Sequence, residues 1–449
     1  MRIFLGLTEV SGFFSRLKDG FDEIGVEAVH VSLQPHRFGY GSGQVQPLAA
    51  KWAQAAVRVR LSALHSGNRI AGVLSLPAVV LTRALLFVWA LARFDVFILG
   101  AGSSFFSFRE LPLFRLLGKK LIYTLHGTDG RPAYVDGFFD PAEYGMGRPE
   151  VQEDKAETVL QRAGRLAEAH AAVSAKRAEQ IQHIENCADV IVCGSGYCSF
   201  LTRPFANFLT IGLPISPAIS GEGHAMAASG EKCKILHAPS NFTAKGTRFI
   251  REVISSLEAR GLGIEYVEVS GKPHDQILAQ IAASDIVIDQ FFSDTPMAAF
   301  AAEAGALGKP AVVGGYYSAE IAGHIRPEHL PPTIYCQPRD VADAVASLVL
   351  DPAARAACGE RANRYVNTRW NPKAVAGRFL ELLHGLPEEW AVCPQDVIYV
   401  GGVGVSDEQA RANVAAVIAR FGIAGLGLGH RPDLEKAFVE FAKHPGERC

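Results

Sequence analysis

The stretch HAPSNFTAKGTRFI, residues 237–250, decides how this chain is read. An apolar strand, KILHAPS, turns through Pro239 and Asn241 and sets Lys245, Gly246 and Thr247 at the mouth of a helix, TRFIREVISSLEARG. A helix start offers unpaired amides and the positive end of a dipole, and a lysine there adds a full charge. That combination suits a diphosphate. The plainer reading is an ordinary strand-to-helix turn with an exposed lysine.

Outward from this turn the alternation continues. IEYVEVSG, IVIDQFF and PAVVGG read as strands, and DQILAQIAAS and PMAAFAAEAGALG as helices. The first half has the same rhythm, with strands RIFLGL, VEAVHVSL, FDVFILGAG, KLIYTLHG and DVIVCGSG and helices such as FFSRLKDGFDEIG, closed by Gly25. Continuous apolar strands separated by helices predict parallel sheets covered on both faces. Residues 211–232 break the rhythm, being rich in Gly, Pro, Ser and Ala, and mark a linker. The expected fold is therefore α/β, with two doubly wound Rossmann-like domains facing a central cleft. In such sheets ligands sit beyond the carboxyl ends of the strands. The expected division is a first domain over 1–212, a linker over 213–232, a second domain over 233–368, a helix crossing back to the first domain over 369–386, and an extension over 387–449. In that extension IYVGGVGV reads as a strand, and DEQARANVAAVIARFG and DLEKAFVEFAKH as helices.

Bulk properties agree. A chain of 449 residues, 49% hydrophobic, supplies cores for two or three domains. A formal net charge of −2 gives no global reason to expect nucleic acid. Eight cysteines without paired spacing argue against a zinc site and for a reduced, cytoplasmic setting. The apolar run over 73–92 is long enough to span a bilayer. Pro77 and Arg83 interrupt it, so it is read as a buried or interfacial helix.

A second piece of chemistry lies in DTPMAAFAAEAGALGKP, residues 294–310. Thr295 reads as an N-cap and Pro296 as the first helical residue, which turns the amides of Met297 and Ala298 toward an anion. Glu303 follows amid alanines and glycines. A carboxylate in so apolar a helix needs a partner, and a sugar diol is one. Exposure to solvent is the alternative.

Taken together, HAPSNFTAKGT, PHDQILAQIAASDIVIDQFF and AAEAGALGKPAVV resemble the donor half of the retaining glycosyltransferases of family 4, whose two-domain fold is called GT-B. FDVFILG, LPLFRLLGKKLIYTLHGTDGR and CADVIVCGSGYCSFL are similar to their acceptor half. The resemblance runs from Met1 to about Leu386. It implies that Lys245 holds the donor diphosphate, that Glu303 binds the ribose hydroxyls, and that Thr295, Pro296, Met297 and Ala298 meet the donor sugar and phosphate. It places Asn241 in the donor loop and His126 in the sugar pocket, with Lys245 and His126 as the catalytic residues. Gly12 would sit where a missing side chain lets backbone approach the diphosphate. Asp129 reads as capping the following turn.

Two positions depart from the family. Phe242 stands where an arginine is usual, and Thr295 where a glutamate is frequent. Losing the arginine removes a positive group from the leaving diphosphate, and Arg248 is the nearest substitute. The chemistry implied is metal-independent glycosyl transfer with retention. Lysine and helix-end amides stabilise the departing diphosphate, and no cofactor is required. The donor would be a nucleotide diphosphate sugar and the acceptor a saccharide or lipid-linked saccharide, in cell-surface polysaccharide or glycoconjugate synthesis.

Residues 28–94 contain no Asp or Glu but hold Arg37, Lys51, Arg58, Arg60, Arg69, Arg83 and Arg93. Such a basic, apolar stretch suits an anionic membrane surface on the inner face, or a lipid-diphosphate acceptor, with Arg58, Arg60 and Arg69 as the contact residues. A chance absence of acids around a buried helix is the bland alternative. Two rival functions remain: a degenerate relative that binds a nucleotide sugar or partner without turnover, and an epimerase of the same shape.

Overall fold

The computed structural model describes residues 1–34, 46–144, 146, 157–216 and 232–443. Arg37 lies outside them, and of Arg69 only the backbone is described.

The first domain is built on strands β1 (Arg2–Leu7), β2 (Glu27–Ser32), β3 (Val96–Gly100), β4 (Lys120–Thr124), β5 (Val190–Cys193) and β6 (Phe205–Asn207). They lie in the order β6-β5-β4-β3-β1-β2, all parallel. The second sheet holds β7 (Cys233–His237), β8 (Ile264–Glu268), β9 (Ile286–Ile288), β10 (Ala311–Gly314) and β11 (Ile334–Cys336), in the order β11-β10-β9-β7-β8, again parallel. In each sheet the winding reverses, between β1 and β3 and between β7 and β9. The loops leaving those strands form the crevices where such sheets hold ligands.

Helices cover both faces. On one side of the first sheet α1 (Phe13–Glu23) contributes Phe13, Phe14, Leu17 and Phe21 to a core shared with Val375, Ala376 and Phe379. On the other side lie α2 (Leu48–His65), α3 (Arg69–Leu74), α4 (Leu76–Arg93), α5 (Leu111–Leu116) and the long α6 (Val159–Cys187). A short α7 (Phe208–Ile211) leads out of the domain. In the second domain α8 (Thr247–Ala259) and α11 (Val341–Leu350) pack on one face. The other face takes α9 (His274–Ala282) and α10 (Ala299–Ala306), the latter packed on α12 (Pro352–Arg369).

Helix α13 (Pro372–Leu382) belongs in sequence to the second domain but packs on α1 of the first. Trp370 at this crossing is fully buried, and its carbonyl accepts from the Ile215 amide at 2.7 Å. Two doubly wound sheets facing each other, with the closing helix returned to the first, make the GT-B architecture.

The extension wraps the first domain. β12 (Ala391–Val392) adds an antiparallel edge to β6. α14 (Asp407–Phe421) lies along α6, and α15 (Pro432–Lys443) packs on α14. The expected strand over 398–405 does not form. That segment makes one bridge, Val403 to Asp136, and its Gly404 amide donates to Phe292 O of the second domain at 2.7 Å. Its pairing stops at the 135–137 segment, with Val403 N donating to Val135 O and Gly137 N to Val403 O, and it runs as an irregular wedge.

Candidate active site

The turn over 237–250 stands at the crevice of the second sheet. Gly246 has φ +69° and caps α8; a Cβ there would meet Phe291 Cβ at 2.6 Å, so the turn requires glycine. His237 ties the turn to the sheet. Its Nδ1 lies 2.9 Å from Ile288 O and must donate, so its Nε2 accepts from Thr247 Oγ1, also at 2.9 Å. Burial pushes this imidazole down to about 4, which keeps it neutral. Asn241 is a turn builder: its Oδ1 accepts from the Ala244 amide, and its side chain is exposed outside the cavity lining.

Lys245 reaches the cavity, but not as a free cation. Its Nζ donates to Asp289 Oδ1 at 2.7 Å, and Asp289 is buried. The second oxygen of that carboxylate, Oδ2, is buried with no hydrogen-bond partner. Arg248 does not replace the missing arginine. It bridges Glu252 on the outer face of α8, where the side chain is 80% exposed. Phe242 is exposed as well, with Arg251 over its ring.

The helix carrying Glu303 starts later than expected. Ser293 Oγ donates to Thr295 O and accepts the Thr295 amide, which closes a local turn of its own. α10 therefore begins at Ala299, with Ala298 as an N-cap that offers no side-chain bond. Thr295 and Pro296 are loop, not cap and first turn. Thr295, Met297, Ala298 and Ala299 all line the cavity, so the uncapped end of α10 opens on it.

Glu303 is buried and already has two partners. Its Oε1 accepts from Arg16 Nη2 at 2.8 Å and lies 2.8 Å from His274 Nε2. Arg16 comes from α1, so this ion pair spans the two domains. A second buried interdomain pair joins Arg131 to Asp294, with Nε donating to Oδ2 at 3.0 Å. Burial opposes the charge on Arg131, and the carboxylates of Asp294 and Asp136 more than offset it. Neither arginine was singled out from sequence.

Gly12 has φ +81° at the start of α1, as a glycine loop requires. The anion site beyond it is filled from within. The buried carboxylate of Glu9 accepts from the amides of Val10, Phe14 and Ser15 at 2.8, 3.2 and 2.9 Å. The Phe13 amide is held by Val10 O.

His126 packs between Phe13 and Phe208 at the cavity wall, and burial pushes its imidazole down to about 3. Thr124 Oγ1 donates to Leu99 O, so it accepts from His126 Nε2 at 2.9 Å, and Nδ1 carries no proton. Asp129 closes back on earlier backbone instead of capping the turn that follows it, taking the amides of His126 and Gly102.

These groups surround a cavity of about 330 Å³ between the domains, within the range of small-molecule sites. Arg16, His126 and Arg131 face it from the first domain, Lys245 and the α10 end from the second, and Val403 of the extension from a third direction. Among the described residues no cluster of His, Cys, Asp and Glu is arranged to hold a metal ion.

No family model matches this chain, and no curated protein matches it in sequence. Solved structures do align with it. A spinosyn rhamnosyltransferase complexed with thymidine diphosphate is 14% identical over 85% of this chain and 100% of its own, with a TM-score of 0.38. HepE of Anabaena, complexed with UDP and glucose, is 11% identical over 86% and 99%, with a TM-score of 0.43. An alpha-glucosyltransferase bound to UDP-glucose and abasic DNA is 11% identical over 85% and 98%, with a TM-score of 0.44. Strand order and the returning helix, rather than these loose superpositions, assign the fold.

Of the basic residues expected to meet a membrane or acceptor, Arg58 is exposed on α2. Arg60 is turned inward, donating to Gly72 O and holding α3 against α2. Neither Arg58 nor Arg60 lines the cavity.

Proposed function

We propose that this chain is a glycosyltransferase that binds a nucleoside diphosphate sugar in the interdomain cavity and passes the sugar, with retention, to a saccharide or lipid-linked acceptor. The setting proposed is the cytoplasm, in the synthesis of cell-surface polysaccharide or glycoconjugate. The uncapped end of α10 carries this reading: it opens on the cavity that Lys245 also lines, with Glu303 one turn behind it on the helix. Amides and a fixed cation aimed at one place stabilise charge developing on a departing diphosphate without reorganising. Lys245, Arg131 and the helix end would take the part a metal plays elsewhere, so turnover should survive chelation.

The test is thermal stabilisation by a panel of nucleoside diphosphates and nucleotide sugars, followed by acceptor-dependent release of the diphosphate. A ligand bound only by the folded state raises its stability by mass action. No shift with any member, in native protein and Lys245→Ala alike, would defeat the reading.

A second reading, a relative that binds without turnover, is favoured by how fully the anion-binding groups are engaged. Glu9 fills the start of α1, Asp289 holds Lys245, and Arg16 holds Glu303. Stabilisation by a nucleotide sugar with no release of diphosphate would select it.

A further inference from the structure

The helices α2, α3 and α4 leave an apolar face uncovered. α4 is two-sided. Val79, Leu86, Phe87 and Ala90 form one stripe, buried in the core of the first domain. Val80, Leu81, Leu85 and Val88 form the other, and it is exposed. On α2, Leu48, Trp52 and Val59 share an outward stripe, while Ala50, Ala53 and Val57 point in. On α3, Ile70 and Leu74 are 75% and 73% exposed. Only 22% of the most apolar window between Ile70 and Arg93 is buried. Scattered exposed leucines are ordinary; a face assembled from three adjoining helices is not.

We infer that this face seats in one leaflet of a lipid bilayer with anionic headgroups, the helices lying in the plane of the interface. Crossing the bilayer would pull Leu86 and Ala90 out of the core, so α4 lies on the membrane rather than through it. The charge pattern selects the occupant. Lys51 and Arg58 are exposed along α2, and residues 28–94 hold no acid; Arg93, at the end of α4, is instead bridged by Glu27. A symmetric self-association would lay this patch on its own copy and bring those cations together without a counter-charge. Anionic headgroups supply the counter-charge and the leaflet supplies the apolar phase. The helical layer is tied to the first sheet at β2. Gln54 of α2 donates to Ser32 O, and Gln46 to His30 O, at the carboxyl end of β2.

The experiment is flotation of the full chain with vesicles of phosphatidylcholine alone and of equimolar phosphatidylcholine and phosphatidylglycerol. It needs neither donor nor acceptor, so its outcome is independent of the proposed transferase activity. The native chain should float with the mixed vesicles. Leu74→Glu with Leu81→Glu should lower partitioning about tenfold or more, at unchanged thermal stability because both side chains already face outward. Arg58→Gln with Lys51→Gln should weaken binding to the mixed vesicles and reduce its sensitivity to salt. Absence of flotation with the mixed vesicles would overturn the inference. So would a light-scattering mass showing that the native chain is a dimer, made monomeric by the leucine substitutions while vesicle binding stays the same.

Discussion

Arg16 of the first domain and Glu303 of the second are joined at 2.8 Å, both side chains almost out of solvent, and of the two Arg16 lines the cavity. The ion pair occupies the carboxylate oxygen that a ribose diol would need. Donor binding in this reading exchanges one partner of Glu303 for another. Glu303→Gln should therefore weaken nucleotide affinity by about tenfold or more, the scale of a hydrogen bond to a charged group. Titration calorimetry measures it, and unchanged affinity would remove Glu303 from the ribose role. Arg16→Ala leaves the buried carboxylate with His274 alone, and should lower stability by about 3 kcal/mol in denaturant unfolding.

Lys245 is held by Asp289, which fixes its ammonium at the cavity wall. A fixed cation is worth most where charge appears during reaction. Lys245→Ala should cut kcat on the order of a hundredfold, with a smaller change in donor affinity. Equal losses in both would show that the lysine merely binds.

Acid should unfold this protein early. Burial holds His126 and His170 down to about 3 and His237 to about 4, against about 6.5 in an unfolded chain. Below that value the unfolded chain binds protons that the folded one refuses. Stability is thus flat above about pH 7 and falls as pH drops from about 6.5 toward 4. Each such imidazole contributes a slope of up to about 1.4 kcal/mol per pH unit. Melting temperatures taken between pH 8 and 4.5 check this; a constant value down to pH 5 would contradict it.

Gly246 fixes both the backbone of the opening turn and its approach to Phe291. Gly246→Ala combines a left-handed φ with a clash, and should lower stability by about 2 kcal/mol or more. Denaturant unfolding would show it, and a neutral substitution would mean that the two loops can part.

Periodicity made the sheets and most helices legible, because each rests on local pattern; the expected linker over 213–232 lies mostly outside the described residues. Asp129 was legible as a backbone-binding carboxylate but not in its partners, since it takes the amides of His126 and Gly102 rather than those of the turn that follows it. The start of α10 was not, because Ser293 closes a competing turn that takes Thr295 out of the cap position. Arg16 and Arg131 were missed because their partners lie 287 and 163 residues away in sequence. Glu9 did carry a signal: an acid just ahead of a glycine and a helix start is placed to take the first amides. The wedge over 398–405 has the apolar content of a strand but pairs with backbone only at Val403 among its ladder positions.

Arg431 is the fastening of the extension. It is buried, and its guanidinium donates to four carbonyls: Cys198 and Leu201 in the first domain, Pro394 and Val397 in the extension. Five donors in a rigid fork suit that arrangement, and a lysine could not reproduce it. Arg431→Met would leave the four oxygens without this donor and should lower stability by about 3 kcal/mol. Because Val403 lies in the cavity wall, loosening the extension should also weaken ligand binding. Hydrogen exchange should then quicken in β12 and α14 before the sheets open. Exchange rising evenly over the whole chain would make the extension part of one cooperative unit rather than a strap on the first domain.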